Sequence, residues 1–259
     1  MPWLVGTVIE AWRRGLRALG SLPIVAGVAL LLTAVIEVAG MLARPARESE
    51  PTGAMHMLDV ATTLASSIAL VPLAIAVHRF VLLDEITLHY RINVFEARFV
   101  RFAFYWVVLE ILEMVAFKFL SGGNAAASHS VLPLISLLLL LAVLLLWMLT
   151  LILFPAIAVD APRPDWRDAI RDSTRHFWAV LAAVLMAGVP FIVIYLLLYA
   201  LTPAATDSEL GTQIVSSAVE TTLGVLNTAV YAALASQLYL DFARQLARPA
   251  ALLRETSVF

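Results

Sequence analysis

Apolar residues in this chain come in long unbroken runs, separated by short polar segments that carry most of the arginine. Six runs are long enough to cross a hydrocarbon core about 30 Å thick, which takes roughly 20 residues at 1.5 Å each. They cover residues 22–43, 59–83, 99–121, 131–159, 177–201 and 213–240. Hydrocarbon offers no partner to a bare N–H or C=O, and no strand-length alternation recurs that could close a barrel, so each run is predicted to be helical. The predicted fold class is all-α: a polytopic membrane helical bundle with six transmembrane helices plus short cytoplasmic interfacial helices. Residues 1–21 read as a cytoplasmic amphipathic helix, 22–243 as the six-span bundle and 244–259 as a cytoplasmic tail. Pro72, Pro133, Pro155 and Pro190, inside or near the ends of spans, are tolerable as kinks.

The segments between the runs have patterns of their own. In "LVGTVIEAWRRGLRAL" (4–19), Val5, Val8, Ile9, Trp12, Leu16 and Leu19 form one helical stripe, with Glu10, Arg13, Arg14 and Arg17 opposite. Such a helix lies in the headgroup plane, its basic face on anionic lipid; alternatively it extends the first span into water. "WRDAIR" (166–171) echoes "WRRGLR" (12–17). Pro164 suits a first helical position, and Asp168 with Arg171 and Asp172 with Arg175 make i,i+3 pairs, so a short solvated helix is expected there. Asn93 followed by Glu96 has the spacing of a capping box before the third span. "EITLHYRINV" (85–94) alternates with period two; lacking a partner strand, it is expected to lie extended along the membrane surface.

Composition confirms the solvent. Of 259 residues 62% are hydrophobic and 14% charged, with a mean hydropathy of +0.92, a balance foreign to a soluble domain and to nucleic-acid binding. The absence of Cys removes disulfide frameworks, thiolate metal sites and cysteine nucleophiles. Charge matters by position: segments 1–21, 84–98, 160–176 and 241–259, with Arg79 and Arg101 at adjoining span ends, hold 14 of the 17 Lys and Arg residues. By the positive-inside rule those segments and both termini are cytoplasmic, in keeping with an even number of spans. The first run follows a long basic region containing Glu10 and itself carries Glu37, so it reads as a retained anchor and not a cleaved signal peptide.

Ionisable residues inside the runs are the candidate chemistry. Each costs roughly 2.5–3.5 kcal/mol at a span centre if charged and lipid-facing, so Glu37, Glu110, Glu113 and Glu220 are expected to face the bundle interior. All four fall toward the outer leaflet. Thr63 and Ser67 on the second span, and Ser217, Thr221, Gly224, Thr228 and Tyr231 on the sixth, supply polar and small stripes, and together they suggest a polar cavity open to the outside. Lys118 lies about 140° around the helix from Glu113, so it pairs with Glu37 or Glu220 on another span or snorkels to the outer headgroups. The glutamates serve either as an internal hydrogen-bonded network or in handling protons, cations or polar headgroups. Arg13, Arg14, Arg17, Arg167, Arg171 and Arg175 form a cytoplasmic basic face. No HExxH, GxSxG, GxGxxG or P-loop pattern is present, so no metal, cofactor or catalytic residue is assigned.

Two stretches carry a resemblance. "AVHRFVLLDE" (76–85) and "FPAIAVDAPRPDWRDAIRDSTRHFWAVLAAVL" (154–185) resemble the bacterial YciC-like six-span inner-membrane proteins, and are similar to the membrane domain fused to some glycerophosphodiester phosphodiesterases. Where that group often has an aromatic before the His-Arg pair, this chain has Val77. The resemblance implies a helical bundle in the bacterial inner membrane and no phosphodiesterase domain. The expected role is non-enzymatic: an accessory in envelope or lipid homeostasis, in contact with membrane lipids and with a membrane or cytoplasmic protein at the arginine-rich face. The alternative is a small transporter or lipid-handling protein that uses the acidic cavity, with an intramembrane enzyme a more distant third.

Overall fold

A computed structural model of the chain describes residues 2–43, 53–122, 132–161, 164–201, 210–244 and 246. They form α1 (Pro2–Ser21), α2 (Pro23–Ala43), α3 (Gly53–Leu83), α4 (Ala97–Gly122), α5 (Leu132–Thr150), α6 (Leu153–Ala158), α7 (Trp166–Arg175), α8 (Phe177–Leu201) and α9 (Leu210–Phe242). There is no strand among the described residues. Four helices are long and apolar enough to cross a membrane: Pro23–Ala43, Met55–Leu83, Phe177–Leu198 and Val215–Phe242. The loops expected at 121–130 and 202–212, and the tail beyond 246, fall wholly or mostly outside the described residues.

The two 30-residue-class helices, α3 and α9, form the centre, and the others pack around them. α1 stands beside the C-terminal half of α9 and runs antiparallel to it: the Trp3 and Phe242 rings lie 5.4 Å apart at one end, and Gly15 meets Ala229 and Val230 at the other. The contact is made by small side chains. Thr7, Val8, Ala11 and Ala18 are buried, and a methyl group at Gly15 would lie 3.0 Å from Val230 Cα and 3.1 Å from the Ala229 carbonyl oxygen. Close backbone approach is how helices associate in lipid, where bulky apolar residues gain nothing by meeting one another. Part of the apolar stripe read from the sequence is therefore left open: Val5, Ile9 and Leu16 are exposed. α1 thus packs against α9 as part of the bundle. It continues almost directly into α2 across Pro23, since Leu22 N–H still bonds Ala18 O (2.8 Å) and Ala26 N–H bonds Leu22 O (2.9 Å).

The run at 131–159 does not form one helix. Pro155 has no N–H to offer the Leu151 carbonyl and its ring crowds that carbonyl, so the helix breaks at Leu151–Ile152, and Leu151 N–H turns to Met148 O at 3.3 Å. The two pieces have different surroundings. α5 exposes Leu134, Ile135, Leu137, Leu138, Leu141 and Leu144, as expected of a lipid-facing helix, whereas every residue of α6 is buried.

Local signals were read with small offsets. α7 is capped by Asp165, whose side chain accepts from Arg167 N–H at 3.1 Å, so Pro164 precedes the cap and is not the first helical residue. Asp172 turns inward and is buried, its Oδ2 accepting the Leu246 N–H at 3.3 Å. Asn93 closes a turn by accepting from Phe95 N–H, and α4 begins only at Ala97. Residues 84–96 run without regular structure, as expected; Tyr90 anchors them by donating its hydroxyl to Ala69 O on α3 at 2.7 Å, and burial pushes that phenol up to about 12.

Candidate ligand cavity and inner ion cluster

A cavity of about 630 Å³ opens between α3, α4, α5 and α9. Its polar lining comes from Ser67 and His78 on α3, Glu110 and Glu113 on α4, and Asn227, Thr228 and Tyr231 on α9. Its apolar lining includes Leu140, Val143, Leu144, Met148 and Leu151 on α5, Trp106, Trp147 and Phe154. The polarity is graded along the bundle axis. Ser67 and His78, eleven residues apart on one helix, mark two ends separated by about 16 Å, roughly one leaflet of the hydrocarbon core.

At the first end, Trp106, Glu110 and Glu113 recur at i, i+4 and i+7 and so share a face of α4. Buried Ser67 lines the cavity together with Glu110, while its neighbour Ser66 donates to Glu37 Oε1 at 2.8 Å. Consecutive helical residues point about 100° apart, which places Glu37 on the α2 side of α3 and Glu110 on the α4 side. Glu37 does not line the cavity, and neither does Glu220, which is exposed and accepts from Ser216 on its own helix at 3.1 Å. The expected convergence of four acids is thus a pair. Thr63, Ser217 and Thr221 also lie outside the lining, Thr221 donating back to Ser217 O at 2.7 Å. Lys118 falls within α4, but its side chain lies outside the described residues.

At the other end, toward His78, the lining is aromatic. Trp106 and Trp147 meet edge to face at 5.4 Å and 83°, and Phe154 packs against both, at 5.7 and 5.8 Å. The indole N–H groups of Trp106 and Trp147 are buried without an acceptor among the described residues. His78, 2% exposed, lies 2.9 Å from Ser236 Oγ through Nδ1. The single Ser236 proton goes to Ala232 O at 2.9 Å, so the network assigns Nδ1 as the donor and leaves Nε2 as an acceptor. No ligand-like spacing surrounds His78 in the sequence, so only packing reveals its place in the lining. Trp106 was findable, since it shares the helical face of the two glutamates.

Beneath the cavity, the two stretches that carry the family resemblance meet. Arg79 donates to Ala158 O at 3.1 Å and to Glu85 Oε2 at 3.0 Å, and lies 3.7 Å from Asp160, which also accepts from Arg98 at 2.8 Å. Arg98 pairs with Glu96 as well. The Arg79 guanidinium holds the Glu85 carboxyl below its ordinary range. Asp84 and Asp160 both end helices at φ 54°, in the left-handed region. For α6 the cap is a Schellman motif: Ala161 N–H reaches Ala156 O at 2.9 Å and Asp160 N–H reaches Ile157 O at 3.2 Å. Glycine would be more comfortable there, whereas the aspartate supplies the carboxylate that the arginines contact. Asp160→Ala loses the arginine contacts and keeps the left-handed penalty; Asp160→Gly loses the contacts and sheds the penalty. Thermal unfolding in detergent should rank Ala below Gly by about 1–2 kcal/mol; equal stability would remove the cap argument.

The remaining basic residues are dispersed. Arg13 and Arg14 share Glu10 at 2.7 Å each and hold its carboxyl below the usual range. Arg17, Arg167, Arg171 and Arg175 are exposed, Arg171 lying 3.9 Å from Asp168. No group of His, Asp and Glu suited to a metal ion occurs among the described residues. No family model matches the chain, and no curated protein or solved structure does either.

Proposed function

We propose that the chain is a six-span protein of the bacterial inner membrane, of the YciC-like kind, with both termini cytoplasmic, and that it binds an amphiphilic small molecule or lipid in the cavity between α3, α4, α5 and α9. One observation carries this reading: the cavity, within the 300–1,000 Å³ of ordinary ligand sites, has carboxylates at one end and an indole-lined apolar floor at the other. The count of six rests on α4 and α5 joining the four apolar helices. α4 turns Glu110 toward the cavity and exposes Phe104, Val108, Ile111, Val115 and Phe117, which makes its outer surface suited to lipid. The orientation rests on the arginines of α1, α7 and the α3–α4 connection.

A second reading, an accessory that recruits a cytoplasmic protein, is favoured by the exposed arginines of α7. Native mass spectrometry of protein exchanged into lipid-free detergent tests both. The cavity reading expects about one retained amphiphile per chain, in wild type and in Arg171→Glu alike. Folded protein that flies bare would overturn it, and a retained protein partner lost in Arg171→Glu would support the accessory role instead.

A further inference from the structure

Resting on the cavity reading, we propose that the ligand is an amphiphilic organic cation: an ammonium group held between Glu110 and Glu113, and an apolar body against Trp106 and Trp147. Two features of the lining point to it.

The first is charge. The lining holds two carboxylates and neither Lys nor Arg. A cationic ligand would complete an ion pair where the described lining provides no counter-charge, and intramembrane acids ordinarily have such a partner. An anion would add a third like charge.

The second is the aromatic corner. Trp106 and Trp147 stand nearly perpendicular, at 83°, and both border the space one to two helical turns from the carboxylates, so a ligand body seated there meets indole surface. Indole faces attract ammonium groups, most strongly where water is excluded, so the same walls that take an alkyl chain also favour positive charge.

The test compares lauroylcholine, a permanent cation with an ester oxygen, against monolaurin, which has the same acyl chain and ester but no charge. Saturable binding to the full chain in nanodiscs is measured against empty nanodiscs, for wild type, Glu110→Gln and Glu113→Gln. The expected result is preferential binding of lauroylcholine, weakened roughly tenfold or more by either substitution, the loss of one charge-assisted contact, with monolaurin unaffected. Equal binding of the two probes, or lauroylcholine binding untouched by both substitutions, overturns the cation assignment while leaving the cavity reading intact. Saturable binding of neither probe overturns both.

Discussion

Gly15→Leu will part α1 from α9. The contact at Gly15 is with Val230 Cα and the Ala229 carbonyl, backbone atoms inside a helix, which cannot swing aside as the end of a side chain can. Overpacking a fitted contact typically costs 1–3 kcal/mol, and a leucine placed against rigid backbone belongs at or above the upper end of that range, about 3 kcal/mol. Once the helices separate, the buried small face of Thr7, Ala11 and Ala18 loses its partner too. Two measurements check this: the unfolding temperature in detergent, and cross-linking of a Trp3→Cys, Phe242→Cys pair by a short bifunctional maleimide. The natural chain contains no cysteine, so the introduced pair reports alone. Gly20→Leu is the control, because a side chain there meets nothing within 4 Å. Efficient cross-linking in Gly15→Leu would refute the packing.

The second large effect is on binding. Gly224 borders the cavity from α9, and a Cβ added to it meets nothing within 4 Å. The side chain of Gly224→Phe therefore starts into open ligand space, and replacing a mid-helix glycine raises helical propensity by a few tenths of a kcal/mol. The variant should be as stable as wild type or slightly more so, while amphiphile binding falls roughly tenfold to hundredfold from the clash with ligand. This combination separates a binding cavity from a packing defect. If the void were a mere imperfection, filling it would stabilise the protein and change nothing else. Undiminished binding in a folded Gly224→Phe protein would place the ligand elsewhere.

Much of the fold was legible because hydrophobicity over twenty residues is a strong signal and the bilayer leaves the backbone no alternative to a helix. Other features depend on quantities that such runs do not encode. Leu153, Phe154 and Ile157 are as apolar as the leucines of α5, so although Pro155 marks a kink, the run itself gives no sign that the piece beyond it would be the better buried. The face of α1 that binds α9 was missed for a related reason: ranking positions by apolarity selects Ile9 and Leu16, whereas close approach selects Ala11, Gly15 and Ala18. For the acids, counting residues from a span boundary estimates height but not direction around the axis. Glu37 bonds Ser66 and Glu110 shares the cavity with Ser67, consecutive residues of α3 whose side chains point about 100° apart. The α4 pair was recognisable because Glu110 and Glu113 belong to one helix, where spacing does fix direction. His78 and Trp147 entered the lining through tertiary packing alone.

The antiparallel contact of α1 with α9 also has a consequence in time. α1 is made before the seven helices that separate it from α9, and these must be inserted before the two small-residue surfaces can meet. Until then the segment around Ala11 and Gly15 is an uncovered adhesive strip, open to chaperones, to quality-control proteases or to a neighbouring copy. Docking α1 on α9 is what covers it.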